Sequence, residues 1–180
     1  MIIAVSKTDK AAEQIEVLGA TPEQQPILAN LLELYAHDFS EFHDISLGPD
    51  GRFGYSDLPL YWSDPERHPF LAKVDGSLAG LVLVKRGPRV SVDEMVWDMA
   101  EFFVVRACRR RGVGTEIAQQ VFRMFPGVWE VRVMEANDSA HHFWEHAIAE
   151  FSGRTIPSVP FDKGGKRWRL FSFESPGGAS

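Results

Sequence analysis

Four arginines and two glycines lie between residues 104 and 115, directly after an apolar segment. Apolar residues then recur at helical spacing, among them Ile117 and Val121, and predict a helix that begins near Gly112. The first amides of a helix have no intrahelical acceptor, so together with the helix dipole they favour an anion at that end. Guanidinium groups pair well with phosphate oxygens. This segment therefore predicts a pyrophosphate site, and a solvated basic face beside a glycine turn is the alternative.

Two other phosphate-binding motifs do not fit the sequence. The dinucleotide fingerprint needs a third glycine, which is absent from residues 112–117. A Walker loop needs Ser or Thr after Gly-Lys, but Arg167 follows Gly165 and Lys166, between two strand-like segments. The predicted anion site is therefore of another kind.

The elements that would position this site follow from periodicity and turn residues. A short strand is predicted over residues 14–18, and a helix begins with Thr21 as its cap and Pro22 in its first turn and ends near Phe39. Asp75 and Gly76 predict a hairpin turn between strands 70–74 and 78–84. The remaining elements are a strand over 97–105, the helix from Gly112, a strand over 128–134, a helix over 139–150 and a hairpin around 163–166. This order indicates a mixed α/β sheet with helices on its faces.

Length and composition narrow the class of protein. With 180 residues and a net charge of −6, the chain suits one domain over residues 1–180, with an ordered core over 14–174 and mobile ends over 6–12 and 176–180. The acidic balance argues against a nucleic-acid partner. No apolar segment approaches the ~20 residues of a membrane span, and no signal-peptide pattern is present, so we expect a cytoplasmic protein without a membrane partner. Cys108 is the single cysteine, which excludes an internal disulfide, and no metal site is expected. The sequence leaves open whether the protein forms a homodimer.

Two motifs in a fixed order carry a resemblance to a known family. They are Arg109-x-x-Gly112-x-Gly114 between a strand and a helix and, after the next strand, Asn137-x-x-Ala140-x-x-Phe143-Trp144. Together they resemble the GNAT superfamily of N-acetyltransferases, over roughly residues 14–174, with the specific motifs between Asp98 and Ile148. The resemblance implies a GNAT-like acyl-CoA N-acyltransferase fold, which is a mixed, mostly antiparallel central sheet flanked by helices.

The resemblance also implies acetyl-CoA as the co-substrate, without a metal. In the family the glycine loop binds the pyrophosphate, the preceding strand pairs with the pantetheine arm, and the asparagine contacts that arm. These cofactor-binding roles would fall to Phe103, Val104, Val105, Arg109, Arg110, Arg111, Gly112, Val113, Gly114, Thr115, Asn137 and Phe143.

One position departs from the family pattern. Trp144 stands where family members often have a tyrosine, the usual proposed acid for the departing thiolate. An indole cannot act as an acid, and the apolar helical stripe around Trp144 predicts that its side chain packs in the core. The thiolate would then take its proton from the amine product, from water, or from Tyr35, Tyr55 or Tyr61.

Two carboxylates are candidates for proton removal from an acceptor amine. A free alkyl ammonium has a pKa of about 10, so a base or a desolvating pocket must take its proton before attack. Asp98 and Glu101 occupy positions that commonly carry carboxylates in the family. Strict strand alternation puts them on opposite faces, so at most one reaches the site unless a bulge intervenes. We expect Glu101, on the face of Phe103, to be the base, with Asp98 as the second candidate and a plain salt bridge as the alternative for either.

Aromatic and acidic residues alternate in the segments expected on the acceptor side. Tyr35, Tyr55, Tyr61 and Trp62 are the substrate-binding candidates, because aromatic faces attract cations. Acids accompany them at Asp38, Glu41, Asp44, Asp57 and Asp64. This pattern favours a small cationic amine as the acceptor, and the alternative is that the aromatics pack over the core.

The sequence thus predicts an N-acetyltransferase that moves an acetyl group from acetyl-CoA to a primary amine by direct attack, without a covalent enzyme intermediate. A backbone donor on the strand that contains Val104 would stabilise the carbonyl oxygen. The rival hypothesis is a non-catalytic acyl-CoA-binding or sensing module, which the tryptophan at position 144 would suit. A third reading, nucleic-acid binding through the arginines, would require a strongly salt-dependent affinity for DNA.

Overall fold

A computed structural model describes residues 12–87 and 95–176. The ends predicted to be mobile, 6–12 and 176–180, lie outside the described residues except for Ala12 and Pro176. No helix in these two ranges is long and apolar enough to cross a bilayer.

The described residues form one seven-stranded sheet. Its strands are β1 (Ile15–Gly19), β2 (Arg67–Val74), β3 (Ser77–Gly87), β4 (Val96–Val104), β5 (Gly127–Met134), β6 (Val159–Lys163) and β7 (Lys166–Ser175). Their spatial order is β1-β2-β3-β4-β5-β7-β6, and β4 with β5 is the parallel pair in an otherwise antiparallel sheet. The sheet predicted from the sequence is confirmed.

Three helices cover the sheet: α1 (Gln25–Phe39), α2 (Val113–Met124) and α3 (Asp138–Ser152). The helix predicted to begin at Thr21 starts with a single 3-10 turn, Pro22–Gln24, before α1 proper. Two further 3-10 turns lie at Leu58–Trp62 and Arg106–Cys108. The predicted hairpin between β2 and β3 is also present, because Asp75 and Gly76 both adopt positive φ, at 49° and 76°.

Two apolar cores lie on opposite faces of the sheet. Alternate residues of β3 divide between them, since Val82 contributes to the core under α2 and α3 and Leu81 to the core under α1. Phe122 and Trp129 are among the largest fully buried side chains of the first core, and Leu28 is among those of the second. Burial on both faces fixes the register of the central strands, because a slip of one residue would exchange the two cores.

The parallel strands β4 and β5 separate soon after they meet. They pair only where Trp97 faces Trp129 and Asp98 faces Glu130. Beyond that point β4 continues along β3 to Val104, whereas β5 continues along β7 to Met134. The separation opens the sheet between β4 and β5, and it leaves the β5-facing backbone of β4 without a partner strand.

An irregularity in β4 accompanies this opening. Leu83 pairs with Glu101 and Val84 pairs with Met99, so Ala100 is an extra residue opposite the β3 ladder. Such a bulge bends its strand and increases the local twist. The bulge lies at the level where β4 leaves β5, which is where the sheet needs to change direction.

Candidate active site

A cavity of about 510 Å³ occupies the opening between β4 and β5. Phe102 and Phe103 both line it, and because successive strand residues point to opposite faces, the cavity reaches both faces of the sheet. Its other walls are the end of α1, the start of α2 and the start of α3. A chain-like ligand can therefore enter along α2 and α3 and present its end to the α1 face.

The helix α2 begins at the cavity with no side-chain cap. Its N-cap residue is Gly112, which has φ of 81° and is suited to this left-handed conformation because it lacks a Cβ. The amides of Val113, Gly114 and Thr115 lie in the first turn and have no intrahelical acceptor. The amides of Gly114 and Thr115 and the positive end of the helix dipole thus meet at the cavity wall, as the sequence predicted for an anion site.

Gly114 permits close packing at the same helix start. A Cβ at this position would lie 3.1 Å from Cε2 of Phe143. Phe143 in turn stacks on Phe102, with ring centroids 5.5 Å apart. The second glycine of the motif therefore lets α3 and β4 close the cavity against α2.

The arginines of the loop differ in their contacts. Arg109 donates from Nε to the Val104 carbonyl at 2.7 Å and from Nη2 to Asp38 at 2.7 Å. Arg106 also binds Asp38, at 2.6 Å. Partial burial raises the pKa of Asp38, but the hydrogen bonds from the two arginines outweigh it and hold that pKa below its ordinary value. Arg109 and Arg106 therefore connect the loop to α1.

Arg110 is the loop arginine best placed for an anion. It lines the cavity, and its backbone adopts a positive φ of 60°. It makes no ion pair within the described parts of the chain. Arg111 instead pairs with Glu13 at 3.2 Å and is not part of the cavity wall. Val105 and Val113, two other candidates, also lie away from the cavity wall. Val113 is buried on the core side of α2, and the Val105 amide donates to the Ala79 carbonyl at 2.8 Å.

The structure brings nine of the twelve predicted cofactor residues to the cavity wall: Phe103, Val104, Arg109, Arg110, Gly112, Gly114, Thr115, Asn137 and Phe143. Asn137 caps α3, accepting from the Ala140 amide at 2.9 Å through Oδ1. This leaves its Nδ2 donor for a ligand. Trp144 packs in the core under α2 and α3, which confirms the structural role predicted for it.

Asp98 and Glu101 lie on the same face of β4. Their partners on β3 are Lys85 and Leu83, two residues apart, which share a face. The opposite faces expected from strict alternation do not occur, because the extra residue Ala100 shifts the alternation by one. Both carboxylates therefore point toward the side covered by α1.

Glu101 is surrounded by tyrosine hydroxyls. Tyr55 donates to Glu101 Oε1 at 3.0 Å, and Tyr35 also donates to this carboxylate. Burial and the charge of Glu101 raise the pKa of Tyr35, Tyr55 and the buried Tyr61. All three phenols stay protonated at neutral pH, and Tyr35 and Tyr55 act as hydrogen-bond donors to the carboxylate. Because Tyr35 also lines the cavity, the cluster adjoins its α1 end.

Asp98 and Trp62 have different surroundings. Asp98 is completely buried, 3.8 Å from Arg132 and opposite Glu130 in the parallel pair. Trp62 donates its indole N–H to the Ala20 carbonyl at 2.9 Å, so it anchors the turn Leu58–Trp62 to the chain beyond β1. The aromatic candidates are therefore divided, with the three tyrosines beside Glu101 and Trp62 in a packing role.

The acids expected to attract a cationic acceptor are mostly paired. Asp38 binds two arginines, Asp44 lies 3.9 Å from Lys166, and Asp57 and Asp64 lie 3.8 and 3.1 Å from Arg67. Only Glu41, on the cavity wall, has no ion pair of this kind among the described residues. The charge argument for a cationic acceptor loses most of its basis in these contacts.

Some cavity residues were not identified from the sequence. Phe102, from β4, and Ser139, from the start of α3, line the cavity without having been proposed as site residues. The available signal was that each lies close in sequence to a predicted site residue, Phe103 or Asn137. No group of His, Cys, Asp or Glu that could hold a metal occurs in residues 12–87 and 95–176.

Comparisons with known proteins agree with this architecture. The sequence model of the Acetyltransferase (GNAT) family matches residues 28–148. No curated protein matches the sequence. Among solved structures, an acetyltransferase from Thermus thermophilus is similar with a TM-score of 0.62 at 16% identity, covering 89% of this chain and 96% of that one. A GNAT acetyltransferase from Streptococcus pneumoniae is similar with a TM-score of 0.57 at 17% identity, covering 89% of this chain and 99% of that one. The yncA protein of Salmonella typhimurium, solved with its cofactor acetyl-CoA, is similar with a TM-score of 0.58 at 13% identity, covering 92% of this chain and 96% of that one.

Proposed function

Because the chain belongs to the acetyltransferase (GNAT) family, we propose that it transfers an acetyl group from acetyl-CoA to a primary amine. The observation that carries this proposal is the cavity through the β4–β5 opening, which runs from the uncapped start of α2 to Tyr35. Glu101 interacts with this tyrosine but is not itself one of the residues that line the cavity. One end offers donors for a pyrophosphate, and the other lies beside a carboxylate able to take a proton.

The residues of the cavity fit acetyl-CoA along its length. The first amides of α2 and the Arg110 guanidinium would hold the pyrophosphate. The unpaired edge of β4 beyond Asp98 and the Nδ2 group of Asn137 offer hydrogen bonds to the amide groups of the pantetheine arm. A side chain at position 112 would lie beside the free amides at the start of α2. Glycine at this position is therefore consistent with a pyrophosphate that binds to backbone amides.

The chain's own groups would prepare the acceptor for transfer. When bound, acetyl-CoA supplies an acetyl group that passes from sulfur to the amine nitrogen by direct attack. Glu101 would take the proton that the ammonium must lose, and the hydroxyls of Tyr35 and Tyr55 would hold its carboxylate in place. A backbone donor on β4 near Val104 would stabilise the carbonyl oxygen. Asp98 is the second candidate base, although its burial beneath Arg132 keeps it farther from the cavity.

A non-catalytic acyl-CoA-binding module is the second candidate. Trp144 removes the usual phenolic acid, and the raised pKa values of Tyr35, Tyr55 and Tyr61 make them poor proton donors to a thiolate. In the proposed enzyme the thiolate takes its proton from the amine product or from water. The sensing module would bind acetyl-CoA equally well and would not consume it.

The acceptor proposed from the sequence is a small cationic amine. Its support is now confined to Glu41 and the tyrosine faces, because the other four acids are in ion pairs. The primary amine itself remains the proposed acceptor class.

Turnover distinguishes the two functions. The protein is incubated with acetyl-CoA and a panel of amines, free CoA thiol is followed, and the acetylated amine is identified by mass spectrometry. Release of thiol that depends on an amine supports the enzyme. Tight acetyl-CoA binding without release for any amine would assign the protein to the binding class.

A further inference from the structure

A second cavity, of about 360 Å³, is lined almost entirely by charged residues. Five of its seven lining residues are cations, and we call these the basic pocket: Arg67, Lys85, Arg86, Arg132 and Lys163. Asp64 and Gly87 complete the wall. The cations come from β2, β3, β5 and β6, so folding brings them together from distant parts of the sequence. From this concentration of positive charge we propose that the acceptor amine also carries an oxyanion, a carboxylate, phosphonate or phosphate, which the basic pocket binds.

The basic pocket adjoins the candidate base on the α1 face of the sheet. Lys85 pairs across β3 and β4 with Asp98, and Arg132 lies 3.8 Å from the same carboxylate. The guanidinium of Arg67 stands 5.5 Å from the centre of the Tyr61 ring, and Tyr61 belongs to the cluster around Glu101. One molecule can therefore reach both Glu101 and the pocket.

The separation of the two sites limits the length of such a molecule. Leu83, the partner of Glu101, and Lys85 are two residues apart on β3, which corresponds to about 7 Å along the strand. An amine at Glu101 and an oxyanion at Lys85 would be separated by several bonds. This favours an acceptor in which a short chain joins the two groups.

The pocket contains cationic groups whose bonding capacity is not used. Lys163 makes no ion pair within residues 12–87 and 95–176. Arg86 also lines the pocket, but its guanidinium stacks over Trp97 at 5.1 Å on the α2 and α3 face of the sheet. The Nη1 atom of Arg67 and the Nε atom of Arg132 are buried without a hydrogen-bond acceptor. Buried donors are normally satisfied, and oxyanions accept charge-assisted hydrogen bonds from several donors at once.

Charge balance within the protein does not account for the whole cluster. Asp98 and Glu130 lie beneath the pocket and Asp57 and Asp64 lie beside Arg67, so these acids explain Arg67 and Arg132. They do not explain Lys163, which lines the cavity without pairing to any of them. A bound anion would use the Lys163 ammonium together with the two buried donors.

This inference rests on the proposed acetyl transfer, and its test separates the two. The first arm measures turnover of matched amines of equal chain length: ω-amino carboxylates from glycine to 6-aminohexanoate, aminoalkyl phosphonates, aminoalkyl phosphates, and the corresponding alkylamines and diamines. We expect an oxyanion-bearing amine to have at least about a tenfold higher kcat/KM than the alkylamine of equal length. The relative rates of carboxylate, phosphonate and phosphate compounds identify the oxyanion. Preference for diamines or alkylamines overturns the inference and leaves the proposed function standing.

The second arm uses a charge-removing variant, Lys163→Gln. We expect its KM for the oxyanion-bearing amine to rise about tenfold or more, with kcat and the KM for acetyl-CoA nearly unchanged, because the pocket lies apart from the cofactor cavity. Arg154→Gln, at an exposed arginine after α3, is the matched control. An unchanged KM in the Lys163 variant overturns the inference.

A third arm needs no turnover. Calorimetry measures binding of inorganic phosphate and of 4-aminobutyrate to the native protein, the Lys163 variant and the control. Binding that the Lys163 variant loses supports the pocket even if no amine is acetylated, in which case the proposed function fails alone. Absence of binding by both probes to the native protein counts against the pocket whatever the enzyme does.

Discussion

Asp98 and Glu101 share one face of β4 because Ala100 is an extra residue in the strand between them. The bulge places a buried, arginine-paired carboxylate and a tyrosine-bonded carboxylate side by side, at the level where β4 leaves β5. Both groups thus become candidates for the same step. Their different surroundings predict different consequences when each is replaced.

Replacement of Glu101 by Gln should lower kcat by about 100-fold or more with little change in acetyl-CoA affinity. Glutamine keeps the shape of the side chain but cannot take a proton, so the ascending limb of the pH–rate profile should also disappear. Steady-state kinetics over pH and calorimetry with acetyl-CoA provide the two measurements. Asp98→Asn is the control, and we expect it to reduce stability more than rate because Asp98 is fully buried beside Arg132. If only the Asp98 variant loses the ascending limb, Asp98 is the base.

Replacement of Gly112 by Asp should weaken CoA binding by more than about tenfold. Aspartate tolerates the left-handed conformation at this position, where φ is 81°, but it places a negative charge at the start of α2. Gly112→Asn is the matched control, since asparagine has the same shape and conformational tolerance without the charge. Calorimetry with CoA should show a much smaller loss for the asparagine variant. Equal CoA affinity of the aspartate variant and the native protein would contradict the assignment of the pyrophosphate to this helix start.

Arg110 and Arg111 are neighbours with opposite expectations. Arg110→Gln should weaken CoA binding by about tenfold, because this arginine lines the cavity and loses a charge-assisted contact with phosphate. Arg111→Gln should leave the affinity nearly unchanged, because Arg111 pairs with Glu13 outside the cavity wall. Binding of CoA and of dephosphorylated CoA to both variants checks the prediction and locates the phosphate involved. A larger loss with Arg111→Gln would reverse the assignment.

Asp38→Asn should destabilise the protein by about 1 kcal/mol at neutral pH, a modest figure because the side chains of Arg106 and Arg109 are 73% and 40% exposed. The pKa of Asp38 is held below its ordinary value, so its contribution is complete above the unfolded-state pKa and is lost as pH falls through the folded-state pKa. The difference in stability between native protein and variant should therefore shrink below about pH 4. Thermal unfolding across pH measures it. Asp44→Asn is the control, since Asp44 is fully exposed at 3.9 Å from Lys166, and its effect should be near zero at every pH.

Local patterns in the sequence determined most of the fold and the cofactor end of the cavity. The apolar stripe of α2, the Asp75-Gly76 turn and the glycines before α2 act over a few residues, where spacing alone selects helix, hairpin or helix start. The first amides of α2 lie at the cavity because of where the helix begins, and the sequence predicts that position. The identity of the family followed from the same local motifs.

Tertiary structure decided how the acceptor end is arranged. Asp38 binds Arg109 across 71 positions of the chain, a pairing that neither local segment predicts. The bulge at Ala100 depends on the register between β3 and β4, and one extra residue reverses which face a side chain occupies. The basic pocket draws cations from four strands. Charged side chains are long and can pair with many partners, so only the packed sheet, by fixing their distances, selects which of them meet and which remain for a ligand.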